Sequence, residues 1–387
     1  MPATKNITPH SKVNASAGLY VHIPFCRSKC AYCDFYSITD TRLVEGYLRA
    51  LTAEMKLYRD HTDCFDTVYI GGGTPSCLEP RQIAGILRQS RQIFAIAPRC
   101  EITVEVNPGD TDVAFMKDLR DAGVNRVSIG VQSFDDTLLG LLGRRHSGRD
   151  GVEAIGAARM AGFDNLSIDL IYRVPGQTLE MWRQTLEEAL RFNPEHLSCY
   201  ELTLEEGTPL ARTINAAEKN HPLGEDEGYR FFLMTSDFLE GHGYTHYEVS
   251  NFARHPSLAS RHNSKYWDHS PYLGLGPAAH SFQETRRWWN QRSLERYIHD
   301  LENGHFPLGG KEDLTQEDLR LEALYFGFRT IRGIRCKEFT QRYGMDLLRE
   351  KGPHLQCLRD EGLVSLQGNL LAPTRRGLAL ADRLCLL

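Results

Sequence analysis

The feature that most constrains the fold of this chain is an alternation of short apolar runs with longer amphipathic stretches, beginning near Gly18. The stretches between the runs carry apolar residues at spacings of three and four, as in residues 43–58. Strands that alternate with helices predict βαβ units and a parallel sheet. The apolar runs are residues 19–23, 66–70, 101–106, 126–131, 166–172 and 196–202.

Six such units predict an α/β fold built around an incomplete (β/α)6 barrel of the TIM type. We interpret the strands as apolar on both faces, which is typical of parallel sheets covered by helices. A doubly wound open sheet is the alternative. In either architecture the loops after the strand C-termini lie together, so reactive side chains are expected there.

The alternation of apolar runs with amphipathic stretches, together with the places where it stops, predicts four regions. Near Gly243 the alternation is lost in a stretch rich in His, Asn, Pro, Gly and aromatic residues. The expected regions are a flexible arm (1–17), the partial barrel (18–250), a connecting region (251–310) and a small C-terminal domain (311–387).

The C-terminal region combines short helices with a hairpin and is similar to a winged helix. Its hairpin is expected to turn at Gly368-Asn369. Its 13 Lys+Arg against 11 Asp+Glu are too balanced to predict a DNA-binding face. The expected helices are Thr315–Gly327, Cys336–Tyr343 and Met345–Glu361.

Charge and hydropathy exclude several classes of protein. The 387 residues carry a formal net charge of −5, whereas a protein that tracks nucleic-acid phosphates usually has a basic excess. No stretch approaches the ~20 apolar residues of a membrane-spanning helix. The first 17 residues lack the apolar core of a signal peptide. We therefore expect a cytoplasmic protein that binds no nucleic acid.

A cysteine cluster directly after the first strand predicts a metal site. Cys26, Cys30 and Cys33 have the spacing C-x3-C-x2-C. Three thiolates can hold three irons of a [4Fe–4S] cluster, which normally takes four cysteines, and leave the last iron open to a small molecule. A zinc site that uses His22, or three unrelated buried cysteines, are the alternatives.

The same segment carries a resemblance to a known family. Residues 20–35 read YVHIPFC…C..CDF, and with the cysteine spacing they resemble the radical S-adenosylmethionine (SAM) superfamily. Within it they are similar to the branch of oxygen-independent coproporphyrinogen III oxidases and HemW-type heme chaperones. The resemblance implies that SAM chelates the open iron and that a reduced cluster cleaves it to a 5′-deoxyadenosyl radical.

The resemblance also implies which side chains hold SAM. Matching identities stand at the ends of successive apolar runs, and Gly72 and Gly73 lie in the motif GGGTP after the second run. Read alone, such a loop could be a simple tight turn. The implied SAM residues are Tyr20, Gly72, Gly73, Thr74, Glu105, Gln132, Arg144 and Asp169.

Two features favour the chaperone side of this branch. Phe35 stands where the oxidase has a further cysteine, and few residues precede Cys26. Residues 262–267 fit the HNxxYW pattern of the heme chaperones, which implies heme contacts through His262, Asn263, Tyr266 and Trp267. Alternatively, these side chains could simply pack a domain junction.

The resemblance therefore implies a heme chaperone that binds a [4Fe–4S] cluster, SAM and heme and delivers heme to recipient hemoproteins. An electron donor for the cluster is a further expected partner, and membrane contact is expected only through the recipient. The alternatives are oxidative decarboxylation of coproporphyrinogen III and radical SAM chemistry on another tetrapyrrole.

Overall fold

The computed structural model describes residues 16–61, 64–217 and 225–384. The expected flexible arm lies outside the described residues, except for its last two positions. No helix in these three ranges is both long enough and apolar enough to cross a bilayer.

The described chain alternates strands and helices from its start, as the apolar rhythm predicts. The strands are β1 (Ala17–Ile23), β2 (Phe65–Gly72), β3 (Ile96–Val106), β4 (Arg126–Gln132), β5 (Leu166–Tyr172), β6 (His196–Glu201), β7 (Thr245–Glu248), β8 (Asn251–Ala253), β9 (Tyr272–Leu275), β10 (His280–Gln283), β11 (Arg286–Asn290), β12 (Leu308–Asp313), β13 (Ile334–Arg335), β14 (Val364–Gln367) and β15 (Leu370–Pro373). The helices are α1 (Val44–Leu57), α2 (Pro80–Ile93), α3 (Val113–Asp121), α4 (Asp136–Leu141), α5 (Gly148–Met160), α6 (Leu179–Leu190), α7 (Pro209–Ala217), α8 (Glu225–Gly241), α9 (Arg261–Tyr266), α10 (Leu294–Glu302), α11 (Gln316–Gly327), α12 (Cys336–Tyr343), α13 (Leu347–Glu350), α14 (Gly352–Asp360), α15 (Arg375–Leu378) and α16 (Ala381–Leu384).

Strands β1 to β6 form the parallel centre of a twelve-stranded sheet. The order in the sheet is β12-β11-β10-β9-β1-β2-β3-β4-β5-β6-β8-β7. At one side β9 pairs with β1 in parallel, and at the other β8 pairs antiparallel with β6. Because β6 pairs with β8 and not with β1, the barrel stays incomplete, which confirms the predicted fold class.

The predicted strand pattern is wrong in one respect, because the central strands are not apolar on both faces. In β1, Leu19 and Val21 belong to the apolar core shared with the helices, whereas Tyr20 and His22 alternate with them. The other strands repeat this period of two. The inward positions are mostly polar: Thr67 and Tyr69, Glu101, Thr103 and Glu105, Arg126 and Ser128, Ser167 and Asp169, and His196 and Ser198.

The C-terminal part has the predicted winged-helix-like arrangement. Helices α11 to α14 pack beside a small antiparallel sheet in the order β13-β15-β14. The helix expected over residues 345–361 is instead two helices, α13 and α14. Pro353 lies at the start of α14, where proline is tolerated, but it cannot continue the preceding turn.

Candidate functional site

A cavity of about 660 Å³ opens at the C-terminal ends of β1 to β6. Its volume is typical of pockets that bind cofactors or small molecules. It collects residues from the first six strand-to-helix loops, where reactive side chains were expected. The sequence-predicted residues that line it are Cys26, Cys30, Cys33, Gly72, Gly73, Thr74, Glu105, Gln132, Arg144 and Asp169.

The three cysteines stand on a loop that backbone hydrogen bonds fix in place. The amide of Cys26 donates to the carbonyl of Ile38 at 2.9 Å, and the amide of Ala31 donates to the carbonyl of Leu142 at 3.1 Å. Two side chains contact the sulfur atoms. Thr74 Oγ1 donates to Cys26 Sγ at 3.3 Å, and Arg144 Nη1 donates to Cys30 Sγ at 3.4 Å.

This donor set fits an iron–sulfur cluster better than a zinc ion. Among the described residues, no three His, Cys, Asp or Glu side chains converge closely enough to hold one ion. His22 Nδ1 is 3.0 Å from Tyr20 Oη, and its Nε2 is 2.9 Å from the carbonyl oxygen of Tyr36. The zinc alternative therefore lacks its fourth ligand here, whereas three sulfur donors around a wide cavity suit a larger cluster.

The glycine loop after β2 forms a narrow cradle beside the cysteine loop. The amide of Gly73 donates to the carbonyl of Ile23 at 2.8 Å. A Cβ at Gly73 would lie 2.7 Å from the carbonyl oxygen of Phe25 and 3.1 Å from Cys26 Sγ. Gly72 has a φ of 110°, which disfavours other residues. The motif is therefore required by close backbone packing around the sulfur donors.

We expect Gly73→Ala to lower cluster content at least several-fold, because the added methyl pushes against Phe25 and Cys26. Iron and sulfide per chain after anoxic reconstitution measure this effect. Gly85→Ala is the matched control, since a Cβ there meets only the Arg88 side chain, at 3.9 Å, and alanine favours a helix. Equal iron content in both variants would contradict the cradle.

Two half-buried carboxylates, Glu105 and Asp169, lie at the floor of the cavity. Glu105 accepts a hydrogen bond from Tyr69 Oη at 2.7 Å and from the amide of Gly72 at 3.1 Å. Burial raises the pKa of Glu105 to about 7. Asp169 accepts from Ser128 Oγ at 2.9 Å and from Ser167 Oγ at 3.1 Å, and burial raises its pKa as well. Both can accept hydrogen bonds from hydroxyl or ammonium groups when ionised.

Arg144 and Gln132 complete the side of the cavity opposite the glycines. Arg144 Nη2 donates to the carbonyl of Gly130 at 2.8 Å and to the side chain of Asn107. The Nε of Arg144 is buried and has no hydrogen-bond partner among the described residues, so one donor of this guanidinium is unsatisfied. Gln132 has a φ of 64°, an uncommon backbone conformation that turns the chain at the cavity edge.

Two other positions singled out in the sequence differ in their relation to the cavity. Tyr20 is absent from the cavity wall, and its ring is 6.2 Å from that of Tyr69, which lines it. Phe35, which replaces the oxidase cysteine, lies on the rim with 70% of its surface exposed.

The residues of the HNxxYW pattern lie at the other end of the barrel, on α9 and just after it. His262 Nδ1 is 2.8 Å from Thr67 Oγ1, and its Nε2 is 2.9 Å from Tyr266 Oη. The His262 ring is buried and stacks on Tyr69 at 5.1 Å. Asn263 and Trp267 are partly exposed. The predicted heme residues therefore do not line the cavity, although the ring of His262 lies 6.4 Å from that of Tyr20, a predicted SAM residue.

Sequence reasoning missed several polar side chains of this region. Tyr69, Ser128 and Tyr200 line the cavity, and Arg126 lies inside the barrel below it. The alternation of apolar and polar residues within each strand was the signal that could have found them. An interpretation of the strands as uniformly apolar does not use this alternation and therefore misses these residues.

Comparisons with known proteins agree with this geometry. The sequence profile of the Radical SAM superfamily matches residues 20–189, and that of the HemN C-terminal domain matches residues 314–380. The heme chaperone HemW of Bacillus subtilis is 33% identical over 94% of this chain and 96% of its own length. That of Synechocystis sp. is 37% identical over 81% and 78%, respectively.

The fold also resembles a solved structure over nearly its full length. The coproporphyrinogen III oxidase HemN from Escherichia coli, a radical SAM enzyme, superposes with a TM-score of 0.83 at 25% sequence identity. The match covers 96% of this chain and 90% of the oxidase.

Proposed function

Because the chain belongs to the radical SAM superfamily and, within it, to the HemW family, we propose that it is a cytoplasmic heme chaperone that holds a [4Fe–4S] cluster and SAM. In this proposal it binds heme and delivers it to recipient hemoproteins, and an electron donor serves the cluster. The observation that carries the proposal is that three thiols, a glycine cradle and two half-buried carboxylates line one cavity.

The residues that line the cavity have different binding roles in this proposal. Cys26, Cys30 and Cys33 would hold the cluster, which with SAM supplies one-electron chemistry at the sulfonium centre. The backbone of the glycine loop approaches a ligand amino group closely, because no Cβ intervenes. Glu105 and Asp169 accept hydrogen bonds, and the guanidinium of Arg144, on the cavity wall, would meet a ligand carboxylate.

Heme binding by α9 is the part of the proposal that needs a conformational step. His262 can ligate iron only after it leaves Thr67 and Tyr266, since both ring nitrogens are engaged. Burial lowers the pKa of His262 to about 3, so the ring is neutral where it lies. A released imidazole with an ordinary pKa of about 6.5 is also mostly neutral at pH 7 and competent as a ligand. Asn263, Tyr266 and Trp267 are proposed to contact the macrocycle around it.

Heme titration of the cluster-loaded protein, with and without SAM, tests this function. We expect a saturable Soret band in the wild type and at least about ten-fold weaker binding in His262→Ala, as expected for a lost ligand. Thr67→Val is the matched control, because it frees Nδ1 of His262 and keeps the ring. If His262 is a ligand, Thr67→Val binds heme at least as tightly as the wild type.

Two outcomes would contradict this assignment. Unchanged heme binding in a folded His262→Ala variant would remove His262 as a ligand. Conversion of coproporphyrinogen III to protoporphyrinogen IX in the presence of SAM and a reductant would favour the oxidase alternative, which the likeness to the Escherichia coli enzyme supports.

A further inference from the structure

Arg126 places a charge inside the barrel that has no close partner. It is the first residue of β4, and only 1% of its surface is exposed. Its Nε has no hydrogen-bond partner among the described residues, and none of the ion pairs within 4.0 Å found there includes it. Arginine stays charged in proteins. A buried guanidinium is therefore costly unless opposite charge lies near enough to offset it.

The opposite charge comes from the two carboxylates at the cavity floor. Arg126 lowers the pKa of both Glu105 and Asp169, although burial is the larger influence and raises both. It shares the inward face of β4 with Ser128, which donates to Asp169 at 2.9 Å. The two carboxylates line the cavity, whereas Arg126 does not and lies inside the barrel.

We infer that Arg126 is a positioning residue of the proposed SAM site, which supplies the counter-charge that keeps Glu105 and Asp169 available as hydrogen-bond acceptors. This inference rests on the proposed function. An ionised carboxylate only accepts hydrogen bonds, whereas a protonated one also donates and matches a ribose hydroxyl or an ammonium group less well. Glu105 and Asp169 repel each other's charge, so loss of the Arg126 cation makes protonation of one of them more favourable.

Other titratable groups also face these carboxylates. A pH experiment has to distinguish their titration from that of Glu105 and Asp169. None of them is a cation, so Arg126 is the positive charge among the described groups that act on the pair. The groups are Tyr20 on β1, Tyr69 on β2, Cys199 and Tyr200 on β6, and Tyr266 on α9, with His196, His262 and Tyr247 beside Arg126 itself. Two further buried carboxylates, Glu101 and Glu248, lie near Tyr247.

The first test measures SAM affinity of anoxically reconstituted protein. We expect Arg126→Met to weaken binding at least about ten-fold at neutral pH, and Arg126→Lys to stay within about three-fold of the wild type. In the Glu105→Gln background the Arg126→Met change should weaken SAM binding much less, because the effects of substitutions at coupled residues are not additive. Affinity of the Met variant should recover as the pH is raised and the carboxylates ionise.

A second readout needs no SAM. Without SAM, Arg126→Met should lower the Tm more at pH 8.5 than at pH 5.5, because only ionised carboxylates gain from the cation. Glu105→Gln combined with Asp169→Asn should remove this pH dependence. If the wild type does not bind SAM, the proposed function fails and this readout alone decides on Arg126. A folded Arg126→Met variant with wild-type SAM affinity, or a Tm loss equal at both pH values, would overturn the inference.

Discussion

Cys30→Ala is expected to abolish the iron–sulfur cluster. A [4Fe–4S] cluster held by three thiolates loses a third of its protein ligands, and Arg144 Nη1 loses its sulfur partner at 3.4 Å. We expect the brown absorbance of the anoxically reconstituted protein to disappear and its iron content to fall from about four atoms per chain to near zero. Absorption spectroscopy with iron and sulfide analysis measures both.

Cys77→Ala is the matched control for this experiment. Cys77 follows the glycine motif, and burial, with smaller contributions from Asp110 and Cys26, raises the pKa of its thiol to about 11, yet it is outside the C-x3-C-x2-C spacing. We expect it to keep full cluster content. Retention of colour and iron by Cys30→Ala, or their loss in Cys77→Ala, would show that the ligand assignment is wrong.

Glu54→Ala is expected to cause the largest loss of stability. Glu54 is fully buried on α1 and accepts hydrogen bonds from the amide of Gly276 at 2.8 Å, from Asn290 Nδ2 at 2.5 Å and from Tyr297 Oη at 2.6 Å. These donors lie after β9, on β11 and on α10. Their loss leaves three buried donors unsatisfied and should lower the free energy of unfolding by about 3 kcal/mol or more. Chemical denaturation measures it.

The same carboxyl predicts a pH dependence. Burial raises the pKa of Glu54 from 4.5 to about 7, so the folded state binds a proton more tightly than the unfolded state. The contribution of Glu54 to the free energy of unfolding is therefore fully present below pH 4.5 and is lost as the pH rises to about 7. The loss amounts to about 3 kcal/mol. Glu54→Gln should remove this contribution to the pH profile.

Glu45→Ala on the same helix is the control for Glu54. Glu45 is exposed and bonds only the side chain of Gln82, at 3.0 Å, so we expect a change below about 0.5 kcal/mol. A Glu54→Ala variant as stable as this control would contradict the role of the buried carboxyl.

The sequence was sufficient for the barrel because its main signal is local. Each βα unit is recognisable in the sequence as an apolar run followed by an amphipathic stretch. Parallel topology then brings the loops after the strands to the same end of the sheet. The same logic placed Cys26, Gly73 and Glu105 at one cavity, although they lie far apart in the chain. Residues at strand ends are thus predictable without knowledge of long-range packing.

The interior of the barrel was harder to predict because its contacts are long-range. The hydrogen bond from Thr67 to His262 joins residues on β2 and α9, and only the three-dimensional fold shows that it occupies a predicted iron ligand. In the sequence, Arg126 likewise resembles an ordinary arginine at the start of a strand. Its burial and its missing partner become visible only when the neighbouring strands are in place.

The pairing of β1 has a consequence for how the chain is made. This strand lies between β2 and β9, and Gly18 is aligned with Tyr272. Contacts of such high sequence separation slow folding. During synthesis one edge of β1 must therefore stay unpaired until β9 has left the ribosome. We expect the cysteine loop that follows β1 to reach its final shape, and iron to be loaded, only after that point.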